Sequence, residues 1–523
     1  MKGGIGAAAA SFLFPRFGQM GISAQDAPGS GNKGGTLRVA DIGEPATLDE
    51  HQTTAGVTMT TTNAIFERLF TYDSNYQPVP ELVDTHTISD DGLTHTFKLR
   101  ANVPFHNGEI LTAADAIASI NRWGQISGVG KNLMAETASI EQADDLTITW
   151  KLNKPYGTIL IALCMNSQGC VIYPKSVIDA NTLDPIGEDG IIGTGPYKFV
   201  EHVADSHIKL ARFDEYAMSP LPQDGYSGAK YAYFDEIEII PVPDEAARVA
   251  GLQAGDYDVA NDIGNDQYEV LNGYPGVIAE ILPPTNWDVI FLNWKSELFG
   301  NQAYRDAAQM ALGSEAMLLS GRGSEEFIRL DPGLMEKESP FWTDAGGDRY
   351  NLNNPAKAKE MLTAAGYDGT PIRFLTTQEY SYMYGQAIVA KQQLEEAGFT
   401  VDLQVTDWAT VLTNRAKPEA WEMFITGHGA VPDPSQISFV GQMNIYPGWW
   451  SDEESLALAA DLLSESDFDT RYAIWEKIQT NAYTQVPMVK TGDSSNCAFY
   501  SDKIGGWTPQ VQNGIPYWNL WFK

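Results

Sequence analysis

PIRFLTTQEYSYMYGQAIVAKQQLEEAGFTVDLQVTDW, residues 371–408, decides the fold class. PIRFLTTQ reads as a strand, YGQAIVAKQQLEEAGF as a helix and TVDLQVTDW as a second strand. That order predicts two parallel strands joined by a right-handed crossover. The region is therefore α/β. Downstream, DWATVLTNRA is helical and WEMFIT is the next strand. Upstream, NPAKAKEMLTAAGY, residues 354–367, predicts a helix with Asn354 as N-cap, Pro355 at its first position and Gly366 at its end. AYRDAAQMALGSEAMLLSG, rich in Ala and Leu, also reads as helical.

The first half is mixed as well. GGTLRVAD alternates as a first strand should, and the apolar residues of TTTNAIFERLFTYD recur at helical spacing. LTAADAIASINRW, residues 111–123, predicts a helix capped by Thr112. IIGTGPYKFVEHVADSHIKLARFD reads as a Gly/Pro turn followed by two antiparallel strands, and a short helix after PVPDE ends at Gly255.

A chain of 523 residues is too long for one hydrophobic core, so two or three domains are expected. Its 68 acidic residues against 34 Lys and Arg give a formal charge of -34. A field of that sign repels phosphate backbones and anionic headgroups, which argues against nucleic-acid and polybasic-membrane partners. It does not single out a cationic ligand, because acidity also keeps exported proteins soluble. Three cysteines, Cys164, Cys170 and Cys497, are too few for a disulfide framework. Cys164 and Cys170 are near enough in sequence to pair; buried free thiols are the alternative.

Residues 1–35 carry a lysine, an Ala-rich apolar run and a Gly/Ser-rich spacer. The run suits a signal-peptide core and is too short to span a membrane. Cleavage is expected near Ala24, and KGGIGAAAAS resembles the middle of a leader of the twin-arginine type. The mature protein is expected to be soluble and periplasmic.

A search for catalytic chemistry fails. GxxxxGK[ST], GxSxG and HExxH are all absent. Pro196 and the strand after it spoil a dinucleotide reading of IIGTGPY. No two of the seven histidines sit at i, i+4 on a predicted helix. No enzyme activity, cofactor or metal is expected. What remains is an exported α/β protein with 13 Trp and 23 Tyr, as a solute-binding cleft requires. Trp408 and Arg415, seven residues apart, fall near one helix face; Trp to the core with Arg to solvent is the alternative. GHGAVPDPSQ, residues 427–436, reads as a rigid exposed turn carrying one acid, Asp433, and one histidine, His428.

LTHTFKLRANVPFHNGEILTAADAIASINRW, GEPATLD, IIGTGPYKF, FLNWKSELFGNQAYRDAAQMAL, NPAKAKEMLTAAGY and IPYWNLWF together resemble one family from about residue 35 to the C-terminus. It is the extracytoplasmic solute-binding proteins, family 5, of ATP-driven importers, which includes the dipeptide- and oligopeptide-binding proteins. The resemblance implies a two-lobed periplasmic-binding-protein fold of type II with an extra inserted domain and a ligand cleft between lobes. Lobe one is expected at 36–56, 185–286 and 496–523, the inserted domain at 57–184 and lobe two at 287–495. The partners implied are a small-molecule ligand and the membrane permease of an ABC transporter, and a monomer is expected.

In oligopeptide-binding relatives, a Trp that opens a helix and an Arg seven residues later face the ligand; Trp408 and Arg415 match those positions. Glu44 matches an acid near the ligand, or is a plain turn acid. In the strand-to-loop segment after WEMFIT, a Trp and, three residues later, an acid that holds the peptide's amino terminus are replaced by Gly427 and Ala430. Either another acid substitutes, with Asp433 the nearest candidate, or the ligand has no free amino terminus. Peptide is the default ligand. A sugar or opine is the alternative, for which Asn286 and Trp287, with Trp449 and Trp450, would offer aromatic faces and neutral hydrogen bonds. A hydrolase on the same scaffold is the cross-class rival.

Overall fold

The structure is a computed structural model that describes residues 31–508 and 516–523. The expected leader and its cleavage site, within residues 1–30, lie outside the described residues.

Three larger sheets, beside two of two strands each, organise the described residues. The first has seven strands in the spatial order Val277–Ile281, Cys497–Ser501, Val259–Ala260, Thr36–Asp41, Glu236–Pro241, His207–Arg212 and Tyr197–Val203. The second has six, in the order Ile328–Arg329, Met488–Ser494, Asn286–Leu292, Met423–Gly429, Ile372–Thr376 and Val401–Val405. The third is a four-stranded antiparallel sheet built from residues 83–152.

The β-α-β unit forms as expected. Ile372–Thr376 pairs in parallel with Val401–Val405, and the helix Ser381–Glu396 connects them. The central strands of this sheet, Met488–Ser494 and Asn286–Leu292, are buried on both faces, as in a sheet covered on two sides. Along Asn286–Leu292, Ile290 and Leu292 enter one core cluster while Val289 and Phe291 enter another, which is the period-two alternation of a strand.

Caps read from the sequence are in place. Thr112 and Asp115 form a capping box before Ala113–Ile126. Asn354 accepts from Lys357 N ahead of Pro355–Ala365, and Gly366 ends that helix at φ 75°. Gly255 closes Glu245–Ala254 at φ 80°.

Three expectations need correction. The helix in TTTNAIFERLFTYD stops at Thr62, and Phe70–Tyr72 is a strand. Thr61 through Tyr72 are all buried, so their apolar spacing reflects burial on every side and not one helical face. The long Ala/Leu-rich helix is two, Gln302–Ala311 and Ser314–Arg322; between them, a Cβ on Gly313 would lie 2.4 Å from the Asn353 side chain. WEMFIT continues as strand through Gly429, so the supposed turn begins three residues later. Cys164, Cys170 and Cys497 are all free thiols.

The backbone passes between the first and second sheets twice, at residues 282–285 and 495–496. The two passages are neighbours. Ile281 is paired with Cys497, Leu282 N donates to Asn496 O at 2.9 Å, and Asn286 is paired with Ser494. One antiparallel ribbon therefore leads from one sheet into the other, interrupted only where residues 283–285 pass residue 495.

Candidate functional site

In open α/β sheets, ligands bind outside the carboxyl ends of parallel strands. In the six-stranded sheet those ends are Thr376, Val405 and Gly429. In the seven-stranded sheet they are Asp41, Pro241 and Ala260. The two edges face each other: Tyr380, four residues beyond Thr376, is near enough to Asp262, two residues beyond Ala260, for that carboxylate to help raise its pKa, after burial.

Trp408 and Arg415 are the first and last residues of one helix, Trp408–Arg415. Asp407 caps it by accepting from Thr410 N at 2.8 Å, and Trp408 N donates to Glu379 Oε2 at 3.0 Å. Tyr380 meets the Trp408 ring edge-on at 5.3 Å. The Arg415 guanidinium is 5.9 Å from the Trp408 ring centre, 5.7 Å from Phe424 and 5.8 Å from Tyr446. The sequence-predicted pair is thus brought together. No ion pair among the described residues includes Arg415, which leaves a cation boxed by aromatic rings and lacking a counter-ion.

His428 borders the same box. Its ring stacks on Trp287 at 4.7 Å and lies 6.2 Å from Tyr446. Burial, helped by the Arg415 charge, lowers its pKa to about 4, so the imidazole is neutral near pH 7. His428 Nε2 and, at the end of the neighbouring strand, Asn286 Nδ2 are inaccessible and have no hydrogen-bond partner. Ser494 Oγ, opposite Asn286, is in the same state. Buried polar atoms without partners are uncommon in native proteins.

Four sequence expectations fare differently. Asp433 is not a free acid: it is fully buried, accepts two bonds from Arg471 at 2.6 and 2.7 Å, and accepts from Ser435 N and Oγ. Fully buried and committed to these bonds, it does not replace the absent amine-binding acid. Trp287 is 1 % exposed and supports His428 from beneath instead of offering a face to solvent. Trp449 and Trp450 are core residues, the former against Trp421. Glu44 accepts from Asp205 N at 2.6 Å and lies 3.5 Å from His202, bonds that tie it to the hairpin of residues 197–212.

The departure at Gly427 has a packing cause. A Cβ there would lie 2.9 Å from Tyr382 Oη and 3.3 Å from Asp288 Oδ1. Asp288 is fully buried and bound by Arg322 and Gln386, and Arg322 lies 4.0 Å over the Tyr382 ring. This network occupies the room that a large side chain would need.

A family model for the bacterial extracellular solute-binding proteins, family 5, matches residues 77–445. The chain belongs to that family. Among family relatives, a probable peptide ABC transporter periplasmic-binding protein, y4tO of Sinorhizobium fredii, is 28% identical over 514 residues, covering 93% of each chain. Two solved two-lobed binding proteins share the fold. AgaA of A. tumefaciens R10, in complex with agropinic acid, has a TM-score of 0.78 at 23% identity, covering 94% of this chain and 99% of its own. DppA of Helicobacter pylori, in complex with the peptide STSA, has a TM-score of 0.79 at 22% identity, covering 94% and 98%.

In this family 5 chain, the candidate site also borders residues that the sequence did not single out. Tyr380 and Tyr446 were hidden among 23 tyrosines. Asp262 was signalled only by VAND, an apolar strand that ends in a polar pair.

Proposed function

We propose that the protein is a periplasmic receptor that captures a peptide or peptide-like solute between its lobes and delivers it to the permease of an ABC importer, without turning it over. The observation that carries this reading is the Arg415 guanidinium, which stands among three rings with no carboxylate partner, on the helix that follows the carboxyl end Val405. A ligand carboxylate completes such a site. Trp408, Arg415 and His428 form its wall, and Asn286 contributes an unpartnered amide. Export by a twin-arginine leader and a monomeric state belong to the same proposal. So does the division into lobe one (36–56, 185–286, 496–523), inserted domain (57–184) and lobe two (287–495), which the three larger sheets support.

Ala430 and Gly427 favour a second reading, an opine-like or sugar ligand without a free amino terminus. Native mass spectrometry of protein purified without refolding separates the two. A series of short-peptide masses supports the first reading; a single sugar or opine mass supports the second. Conversion of the bound species on incubation would overturn the receptor reading.

A further inference from the structure

Asp262 follows the strand Val259–Ala260 at the carboxyl edge of the seven-stranded sheet. Its backbone is left-handed, φ 50°, a region that Asp and Asn enter more readily than most residues. The loop is held there from behind. The buried Arg248 guanidinium donates to the carbonyls of Asn261 at 3.0 Å, Asp262 at 2.7 Å, Val242 at 2.7 Å and Pro243 at 3.0 Å. Asn261 donates its backbone N–H to Ala40 O at 2.9 Å and its side-chain amide to Asp41 Oδ2 at 3.0 Å.

All these bonds leave the Asp262 carboxylate itself unused; no hydrogen bond or ion pair engages it among the described residues. The side chain is open to solvent, yet protein crowds it closely. Burial, and then the Asp41 charge, push its carboxyl up to about 6 against the pull of Arg248. Across the gap stand Tyr380, whose ring meets Trp408, and then Arg415. One wall thus offers a carboxylate and the other a guanidinium, each without a counter-ion, with aromatic rings between them.

We propose that Asp262 binds the ligand's ammonium group from lobe one, in place of the acid that lobe two lacks at Ala430, so that the ligand is a zwitterion with a free primary amine at Asp262 and a carboxylate at Arg415. This rests on the solute-capture reading above. A ligand bound in this way joins the lobes through its two ends, and each protein charge gains its partner only when the lobes are closed. Capture and closure then become one equilibrium.

The test uses an enzymatic digest of casein, half of it amine-acetylated, offered to the full protein and read by native mass spectrometry. The wild type should retain peptides from the untreated half at least tenfold more than from the acetylated half. Asp262→Asn, which suits the same left-handed backbone, should lose that preference with an unchanged thermal midpoint, and Asp262→Glu should keep it. Equal capture from both halves, or an unaltered preference in Asp262→Asn, overturns the role of Asp262 and leaves solute capture standing. No capture from either half by the wild type overturns both.

Discussion

Asp433 and Arg471 form a buried two-oxygen ion pair, at 2.6 and 2.7 Å, with side chains 0 % and 5 % exposed. Breaking a buried pair by removing one partner leaves a desolvated charge, at a cost of about 3–5 kcal/mol. Asp433→Ala should therefore lower stability by about that amount in urea unfolding. Ligand affinity per folded molecule should be little changed. A soluble, stable variant with lost binding would return Asp433 to the ligand site.

Arg415 is the converse case, a cation with rings for neighbours and no anion. Arg415→Ala should weaken capture of a carboxylate-bearing ligand more than tenfold, about 1.4 kcal/mol or more, with the thermal midpoint nearly unchanged. Isothermal titration with any co-purified ligand measures this. Unchanged affinity would take Arg415 out of the site.

Gly427 lies under Tyr382. Gly427→Ala brings a methyl to 2.9 Å from Tyr382 Oη, and overpacking of this kind costs about 1–3 kcal/mol. Tyr382→Phe removes the obstructing oxygen. Neighbouring changes couple, so the double variant should be less destabilised than the sum of the singles. Strict additivity would show that the contact relaxes by other means.

Glu336 is 3 % exposed, and neither carboxylate oxygen accepts a hydrogen bond from a neighbour. Burial, together with the Asp493 charge, raises its pKa from 4.5 to about 8. The folded state holds this proton across that window while the unfolded chain has released it. The stabilising contribution is therefore complete below about pH 4.5 and is lost as pH rises through about 8. Glu336→Gln should raise the thermal midpoint relative to wild type at pH 8 and change the difference little at pH 5. Parallel melting curves from pH 5 to 9 would disprove it.

The helix ends and the β-α-β unit were legible because helix caps and strand alternation are local. Asn354, Pro355, Gly366 and Thr112 specify helix ends by their own chemistry, whatever lies elsewhere. The Trp408–Arg415 pair was legible for the same reason, since seven residues along one helix fix their separation. Asp433 misled because a loop acid next to prolines looks exposed. Its partner Arg471 is 38 residues away, and no local signal joins them. Trp287 misled similarly: a Trp at a strand start suits a cleft as well as a core, and only the stacking of His428 above it decides. Asp262 went unseen because its neighbours across the gap belong to a different stretch of chain.

The ribbon that carries residues 277–292 and 488–501 through both sheets constrains how the receptor moves. Two hydrogen-bonded strands resist sliding past each other, because a slip by one residue would turn every side chain to the wrong face. The same ribbon bends readily across its flat side. Any motion of one sheet against the other that keeps this ribbon paired is thereby a bend about it, something near a single angular coordinate, like a page turning on its spine. Ligands of different length can then be met by different closing angles on an unchanged axis, and whatever reads the receptor from outside reads one variable.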